Sequence, residues 1–157
     1  MGLSWQQGPL APGAIGRFLV AYFPFGDISA DVLEGGRPVV DTSCPLALYE
    51  SGFAPRWYVP RDDVDLTALT PIGLQTFCPY KGVCSYFDIG HAQRAGWSYE
   101  DSWAEVRRIS GLVSFEPDRV EVYLDGVRLR LDPGQTVIPH GVDRDLTLDQ
   151  APAGGPL

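Results

Sequence analysis

Short apolar runs, each bounded by glycine, proline or polar residues, dominate the chain. Runs rich in aromatic and aliphatic residues occupy 17–23, 46–50 and 56–59, and such runs are typical of β-strands. Gly35-Gly36 and Asp125-Gly126 each separate two further apolar runs by two residues, which is the signal of a tight β-hairpin. The pattern therefore predicts a mainly β protein built from many short strands.

One segment has the spacing of an amphipathic helix. Ser102 and Glu105 match a capping box, in which a hydroxyl and a carboxylate satisfy free backbone N–H groups. Apolar side chains then follow at steps of three and four residues, and Pro117 blocks further extension. The sequence therefore predicts a single α-helix at about 102–115. Farther upstream, 62–69 predicts a short helical turn or an edge strand.

Composition excludes several classes of function. Twelve Lys and Arg against 20 Asp and Glu give a net charge of −8 over 157 residues, which disfavours nucleic acid or an anionic membrane as a partner. Apolar runs are far shorter than the roughly 20 residues of a membrane span. With no secretory pattern at the start and three cysteines, an odd number, we expect a cytoplasmic protein without a disulfide framework.

The chain has a single lysine, Lys81, against eleven arginines. A preference for arginine codons explains the imbalance but does not explain why this position has a lysine. Of the two side chains, only the lysine amine can lose its proton or act as a compact charge. Lys81 lies in the segment Cys78-Pro79-Tyr80-Lys81-Gly82, where proline and glycine favour a turn. Because a turn places residues three apart on the same side of the chain, we expect the Cys78 thiol and the Lys81 ammonium to lie close together.

A cation beside a thiol favours the thiolate, which is a nucleophile. We therefore predict Cys78 and Lys81 as catalytic residues, with Glu50 as an acid–base partner or ligand anchor in the same pocket. An enzyme of this kind should have a Cys78 that alkylates faster than Cys44. The alternatives are an ordinary buried cysteine, a disulfide to Cys84, and a zinc site made with Cys84 and His91. Because no tight cysteine pair is present, we expect no metal. The chain also lacks a P-loop and a GxGxxG motif, and we expect no cofactor.

Aromatic residues are concentrated in the middle of the chain. Most are expected in the core, but buried Tyr and Trp need partners for their polar ends, and a small-molecule pocket combines aromatic walls with a few polar groups. The predicted ligand-binding residues are Arg56, Tyr58, Tyr80, Tyr86, Trp97 and Tyr99.

Three segments together resemble a known family. They are LALYESGFAPRWYVPRDDV, FCPYKGVCSYFDI and GWSYEDSWAEVRRISGLVSFEPDRVEVYLDG, and over about 33–126 they resemble the bacterial domain-of-unknown-function-427 family. The resemblance implies an Mss4-like β-tent of antiparallel sheets. It also brings a nucleotidyltransferase-like label, although the chain lacks the Gly-Ser loop and paired acids of that chemistry.

The N-terminal segment RFLVAYFPFGDI resembles part of a second, truncated copy of the same unit. We therefore predict an N-terminal extension at 1–31, the family β domain at 32–132 and a C-terminal tail at 133–157. The leading hypothesis is an enzyme acting on a small polar metabolite. The alternatives are a non-catalytic module for an anionic ligand and a protein-interaction domain, with a homodimer left open.

Overall fold

The computed structural model describes residues 3–4, 19–22, 28–50, 55–78, 80–130 and 146–147. The strands are β1 Leu3–Ser4, β2 Leu19–Tyr22, β3 Ala30–Glu34, β4 Arg37–Thr42, β5 Leu46–Glu50, β6 Arg56–Val59, β7 Leu69–Cys78, β8 Gly82–Ile89, β9 Ala92–Ser98, β10 Val113–Phe115, β11 Glu121–Leu124, β12 Val127–Arg128 and β13 Leu146–Thr147. Three 3-10 segments span Arg61–Asp63, Leu66–Ala68 and Ala104–Ile109. The mainly β prediction is confirmed.

The strands form two antiparallel sheets. A nine-stranded sheet has the order β1-β2-β5-β6-β10-β9-β8-β7-β13, and a four-stranded sheet has the order β12-β11-β3-β4. Gly35 and Gly36 join β3 to β4 with φ angles of 57° and 80°, which suit the type I′ turn that matches strand twist. The hairpin at Asp125-Gly126 is also confirmed.

The predicted α-helix at 102–115 is wrong. Only a 3-10 segment, Ala104–Ile109, forms, and it is interrupted at Val106, whose φ of −126° is not helical. Instead of capping a helix, the Ser102 hydroxyl donates to the Val106 carbonyl at 3.0 Å and lies 2.7 Å from the Ser110 hydroxyl. The apolar residues that continued the period are strand β10, held between β6 and β9.

Apolar side chains cover both faces of the nine-stranded sheet. Tyr58 and Val59 alternate on β6, so they enter different cores. The four-stranded sheet supplies Val32 and Val122 to the second core. The first core, here called the aromatic core, consists of Leu46, Leu48, Tyr58, Cys78, Tyr80, Cys84, Tyr86, Trp97, Tyr99, Val106 and Ile109.

Much of the predicted extension at 1–31 and of the tail at 133–157 lies outside the described residues, and those boundaries stay a prediction. Strand β2 from the first segment pairs with β5, and β13 from the last pairs with β7. In the part of the chain that the structure describes, no helix has the length and apolarity needed to cross a membrane.

Candidate functional site

The hairpin turn between β7 and β8 is fixed by backbone contacts. The Lys81 N–H donates to the Cys78 carbonyl at 3.3 Å, and the Lys81 carbonyl accepts from the Trp103 N–H at 2.9 Å. Gly82 has a φ of +112°, and a Cβ at this position would lie 3.4 Å from the Asp101 carbonyl oxygen. Glycine therefore allows both the turn conformation and the close approach of 101–103.

The side chain of Lys81 is completely buried, with an exposed fraction of 0%. Its Nζ lies 5.5 Å from the centre of the Tyr99 ring, within the range of a cation–π interaction. A buried ammonium costs free energy unless partners compensate for its lost hydration. Lysine is rarely found in this position, so Lys81 is a candidate functional group rather than a surface charge.

The predicted aromatic residues surround the same interior. Tyr58, Tyr80, Tyr86, Trp97 and Tyr99 are at most 3% exposed, and all belong to the aromatic core together with Cys78. The Tyr58 and Trp97 rings meet edge to face at 6.5 Å. Trp97 Nε1 donates to the Tyr58 hydroxyl at 3.2 Å, so these polar ends have partners, as buried Tyr and Trp require.

The structure thus brings together most of the predicted site but encloses it. Cys78 is 1% exposed, and a ligand can reach Lys81 only if a covering element moves. Glu50 is the last residue of β5, where it pairs with Leu19, and its side chain lies outside the described residues. The catalytic and ligand-binding roles of all these residues stay predictions.

Arg56 is also largely buried, but it faces a group that the sequence analysis missed. Its guanidinium lies 5.8 Å from the centre of a Trp97 ring, and Nη1 lies 3.8 Å from Glu116 Oε1. Glu116 is 3% exposed, and its Oε1 accepts no hydrogen bond. The available signal was an acidic residue placed directly between Phe115 and Pro117, at the end of a short run of strand-forming residues.

Burial raises the pKa of Glu116 above its ordinary value of 4.5, and the opposing effect of Arg56 is smaller. The folded protein therefore binds this proton more tightly than the unfolded chain. As the pH rises from about 4.5 through the folded-state pKa, the free energy of unfolding contributed by Glu116 must fall. Above that window the ionised, buried carboxylate destabilises the fold.

We expect Glu116→Gln to remove this contribution. The stability difference between the variant and the parent should shift in favour of the variant as the pH rises from about 4.5 towards neutrality. Urea unfolding at a series of pH values measures this stability difference. The changed contact with Arg56 adds a constant to the difference at every pH, so it does not affect how the difference varies with pH. Parallel pH profiles for the two proteins would contradict the raised pKa.

The cysteines are all free thiols: Cys44 is exposed, whereas Cys78 and Cys84 are buried. The disulfide alternative between Cys78 and Cys84 is therefore not realised. Within the described ranges, no three His, Cys, Asp or Glu side chains are grouped so that they could hold a metal ion. The zinc alternative with His91, an exposed residue, therefore has no geometric support.

Residues 27–126 match the family described as Domain of unknown function (DUF427), which is 100 of the 157 residues. No curated protein matches the chain. The matched segment contains the turn at 78–82, the buried Lys81 and the strands that hold the aromatic core. The chain belongs to the DUF427 family.

Proposed function

We propose that this protein is an enzyme that acts on a small polar metabolite at Lys81. The observation that supports the proposal most strongly is the complete burial of the only lysine, whose Nζ lies 5.5 Å from the ring centre of Tyr99, a residue of the aromatic core. An anionic or carbonyl-bearing ligand is the class of small molecule that a buried ammonium attracts. Aromatic walls with a few polar groups are the usual composition of a small-molecule site.

In this proposal Lys81 acts as the cation or proton donor, and Cys78 acts as the thiolate nucleophile. The two residues are the ends of one turn, joined by the hydrogen bond from the Lys81 N–H to the Cys78 carbonyl. A nearby ammonium favours the thiolate over the thiol. Glu50, at the end of β5, would serve as acid–base partner or ligand anchor.

A second candidate is a non-catalytic module that holds an anionic ligand by the charge of Lys81. The 1% exposure of Cys78 favours it, because a nucleophile must reach its substrate. Under this candidate the thiol is a packing residue of the aromatic core. The protein-interaction role and a homodimer remain hypotheses without a specific supporting contact.

The finer features implied by the family resemblance belong to the same proposal. Two antiparallel sheets are compatible with an Mss4-like β-tent. The proposal includes a cytoplasmic protein, since three cysteines, an odd number, do not suit a disulfide framework, and a bacterial source, as the family resemblance implies. A metabolite of the cytoplasm would then be the natural ligand class.

Site-resolved alkylation distinguishes the two candidates. If Cys78 is an activated thiolate, its reaction with iodoacetamide should show a pH midpoint below the ordinary thiol value of about 8.5. Cys44 is exposed and provides the rate of an ordinary accessible thiol. Peptide mass spectrometry after timed labelling at pH 6 to 9 measures each cysteine separately.

Cys84 is the matched control, since it is buried in the same core as Cys78. The enzyme candidate requires Cys78 to react faster than Cys84, with a lower pH midpoint. If both buried thiols react equally slowly, they react only when the core unfolds. That result would favour the non-catalytic binding module over the enzyme.

A further inference from the structure

The connection between β9 and β10 is much longer than the pairing of these strands requires. Val113 of β10 lies opposite Ser98, the last residue of β9, so the chain leaves the sheet and returns to it at adjacent positions. About two to five residues are enough to join such strands, whereas this connection takes residues 99–112, here called the β9–β10 loop. Compact loops whose ends lie close together are frequently functional.

The β9–β10 loop folds over the turn that carries Lys81. Its Trp103 N–H donates to the Lys81 carbonyl at 2.9 Å. Val106 and Ile109, farther along the loop, are at most 1% exposed, and they belong to the aromatic core together with Cys78. The loop therefore covers part of the interior in which the side chains of Cys78 and Lys81 are buried.

This loop can move with less loss of hydrogen bonding than the strands near Lys81. Strand β8 is paired with β7 and β9, and β9 is paired with β8 and β10, so a displaced strand would lose two ladders of hydrogen bonds. The β9–β10 loop lies outside these ladders. Near its end Gly111 has a φ of +75°, and a small residue near the end of an element is a common hinge position.

Arg61 holds the two ends of the β9–β10 loop together. Its Nε donates to the Gly111 carbonyl at 2.8 Å, and its Nη2 donates to the Ser98 hydroxyl at 3.3 Å and pairs with the Glu100 carboxylate. The Gly111 N–H also donates to the Tyr99 carbonyl at 2.9 Å. Because water replaces such partners when a partly exposed contact breaks, each of these bonds adds only modestly to the stability of the closed form.

We propose that the β9–β10 loop is a lid that opens to admit a small polar molecule to Lys81, and that Arg61 is the latch that holds it closed. The purpose of opening rests on the proposed function, whereas the opening itself is a property of the fold. It would break the hydrogen bond between Trp103 and Lys81 and withdraw Val106 and Ile109 from the aromatic core. A ligand that enters only the open form binds in proportion to the fraction of molecules that are open, so the contacts of Arg61 set its apparent affinity.

Amide hydrogen exchange of the Trp103 N–H, followed by NMR, measures the opening without any ligand. If the loop opens on its own, this amide should exchange at least about tenfold faster than global unfolding permits. Its exchange rate should also change little at low urea concentrations, because a local opening exposes little surface. Equilibrium urea unfolding of the same protein gives the global value. A Trp103 amide with the free energy and the urea slope of global unfolding would overturn the lid.

Arg61→Gln should loosen the lid. We expect the exchange rate of the Trp103 amide and the rate at which iodoacetamide labels Cys78 each to rise about tenfold, because the latch loses its charged hydrogen-bond donors. Should this variant fail to fold, Glu100→Gln removes one partner of the latch and should raise both rates about threefold. Faster exchange at Trp103 without faster labelling of Cys78 would show that the open form admits no small molecule, and would overturn the proposal.

Arg37→Gln is the matched control. The Arg37 guanidinium is exposed and likewise donates to a carboxylate and a hydroxyl, those of Asp65 and Thr67, but Arg37 belongs to the four-stranded sheet. Its replacement should leave both rates unchanged. Equal increases in Arg37→Gln and Arg61→Gln would show that the loop opens only when the whole fold does, and would overturn the latch.

Lys81→Met separates the lid from the proposed function. The variant keeps the backbone carbonyl that accepts from Trp103, so the Trp103 amide should exchange through the same local opening as in the parent. A Cys78 thiol with an ordinary pH midpoint counts against the proposed function alone, since the exchange of the Trp103 amide does not depend on that thiol. Exchange at Trp103 only through global unfolding counts against the lid alone.

Discussion

Replacement of Trp97 by alanine is expected to lower the free energy of unfolding by about 3–5 kcal/mol. Trp97 is fully buried and packs edge to face on Tyr58. Its Nε1 supplies a hydrogen bond to the Tyr58 hydroxyl, and the Arg56 guanidinium lies near its ring. Since small domains are stable by only about 5–15 kcal/mol, equilibrium urea unfolding should show a large loss.

Two further variants show where this effect arises. Trp97→Phe keeps an aromatic ring but loses the hydrogen bond, and we expect a loss of about 1–3 kcal/mol. Trp57→Ala removes the same kind of side chain from strand β6, which β10 separates from the strand of Trp97. Because Trp57 is only partly buried, its cost should be lower than that of Trp97→Ala. Equal losses for Trp57→Ala and Trp97→Ala would contradict the central place of Trp97 in the aromatic core.

The sequence predicts the parts of the fold that local chemistry decides. Both hairpins follow from two-residue turns: Gly35 and Gly36 occupy positive φ angles, as does Asp125 before Gly126. The predicted strands 46–50 and 56–59 agree with β5 and β6. In each case the turn or strand signal lies within the segment itself and needs no distant partner.

The helix prediction failed because distant pairing outweighs local periodicity. Val113 continues the helical spacing, but it pairs with Val59 on one side and with Ser98 on the other. Ser102 and Ser110 then form hydrogen bonds that hold a loop. A capping-box pattern does not reveal whether the following residues are needed elsewhere in a sheet.

The same distinction applies to the candidate site. The turn that joins Cys78 to Lys81 by a backbone hydrogen bond is a local feature, and the sequence predicts it. The complete burial of Lys81 depends on Tyr99 and on the backbone of 101–103. The ion pair of Arg56 with Glu116 joins residues 60 positions apart, so no short motif indicates it.

The functional test with the largest expected effect is Lys81→Met. Methionine keeps a long, flexible, apolar stem and removes the buried charge, so the free energy of unfolding should change by less than about 2 kcal/mol. If Lys81 donates a proton, activity on the metabolite should fall by about 10²–10⁴-fold. A metabolite panel screened by thermal shift supplies the ligand, and each hit on the parent should disappear in the variant.

Lys81→Arg separates charge from proton transfer at the same position. It keeps the cation, so binding of an anion should partly survive, while proton donation should not. Its larger head group is expected to cost about 1–3 kcal/mol, because the site is completely enclosed. The alkylation midpoint of Cys78 gives a readout that needs no substrate: it should rise in Lys81→Met and rise less in Lys81→Arg. An unchanged midpoint in both variants, together with retained ligand hits, would show that Lys81 is a structural residue of the core.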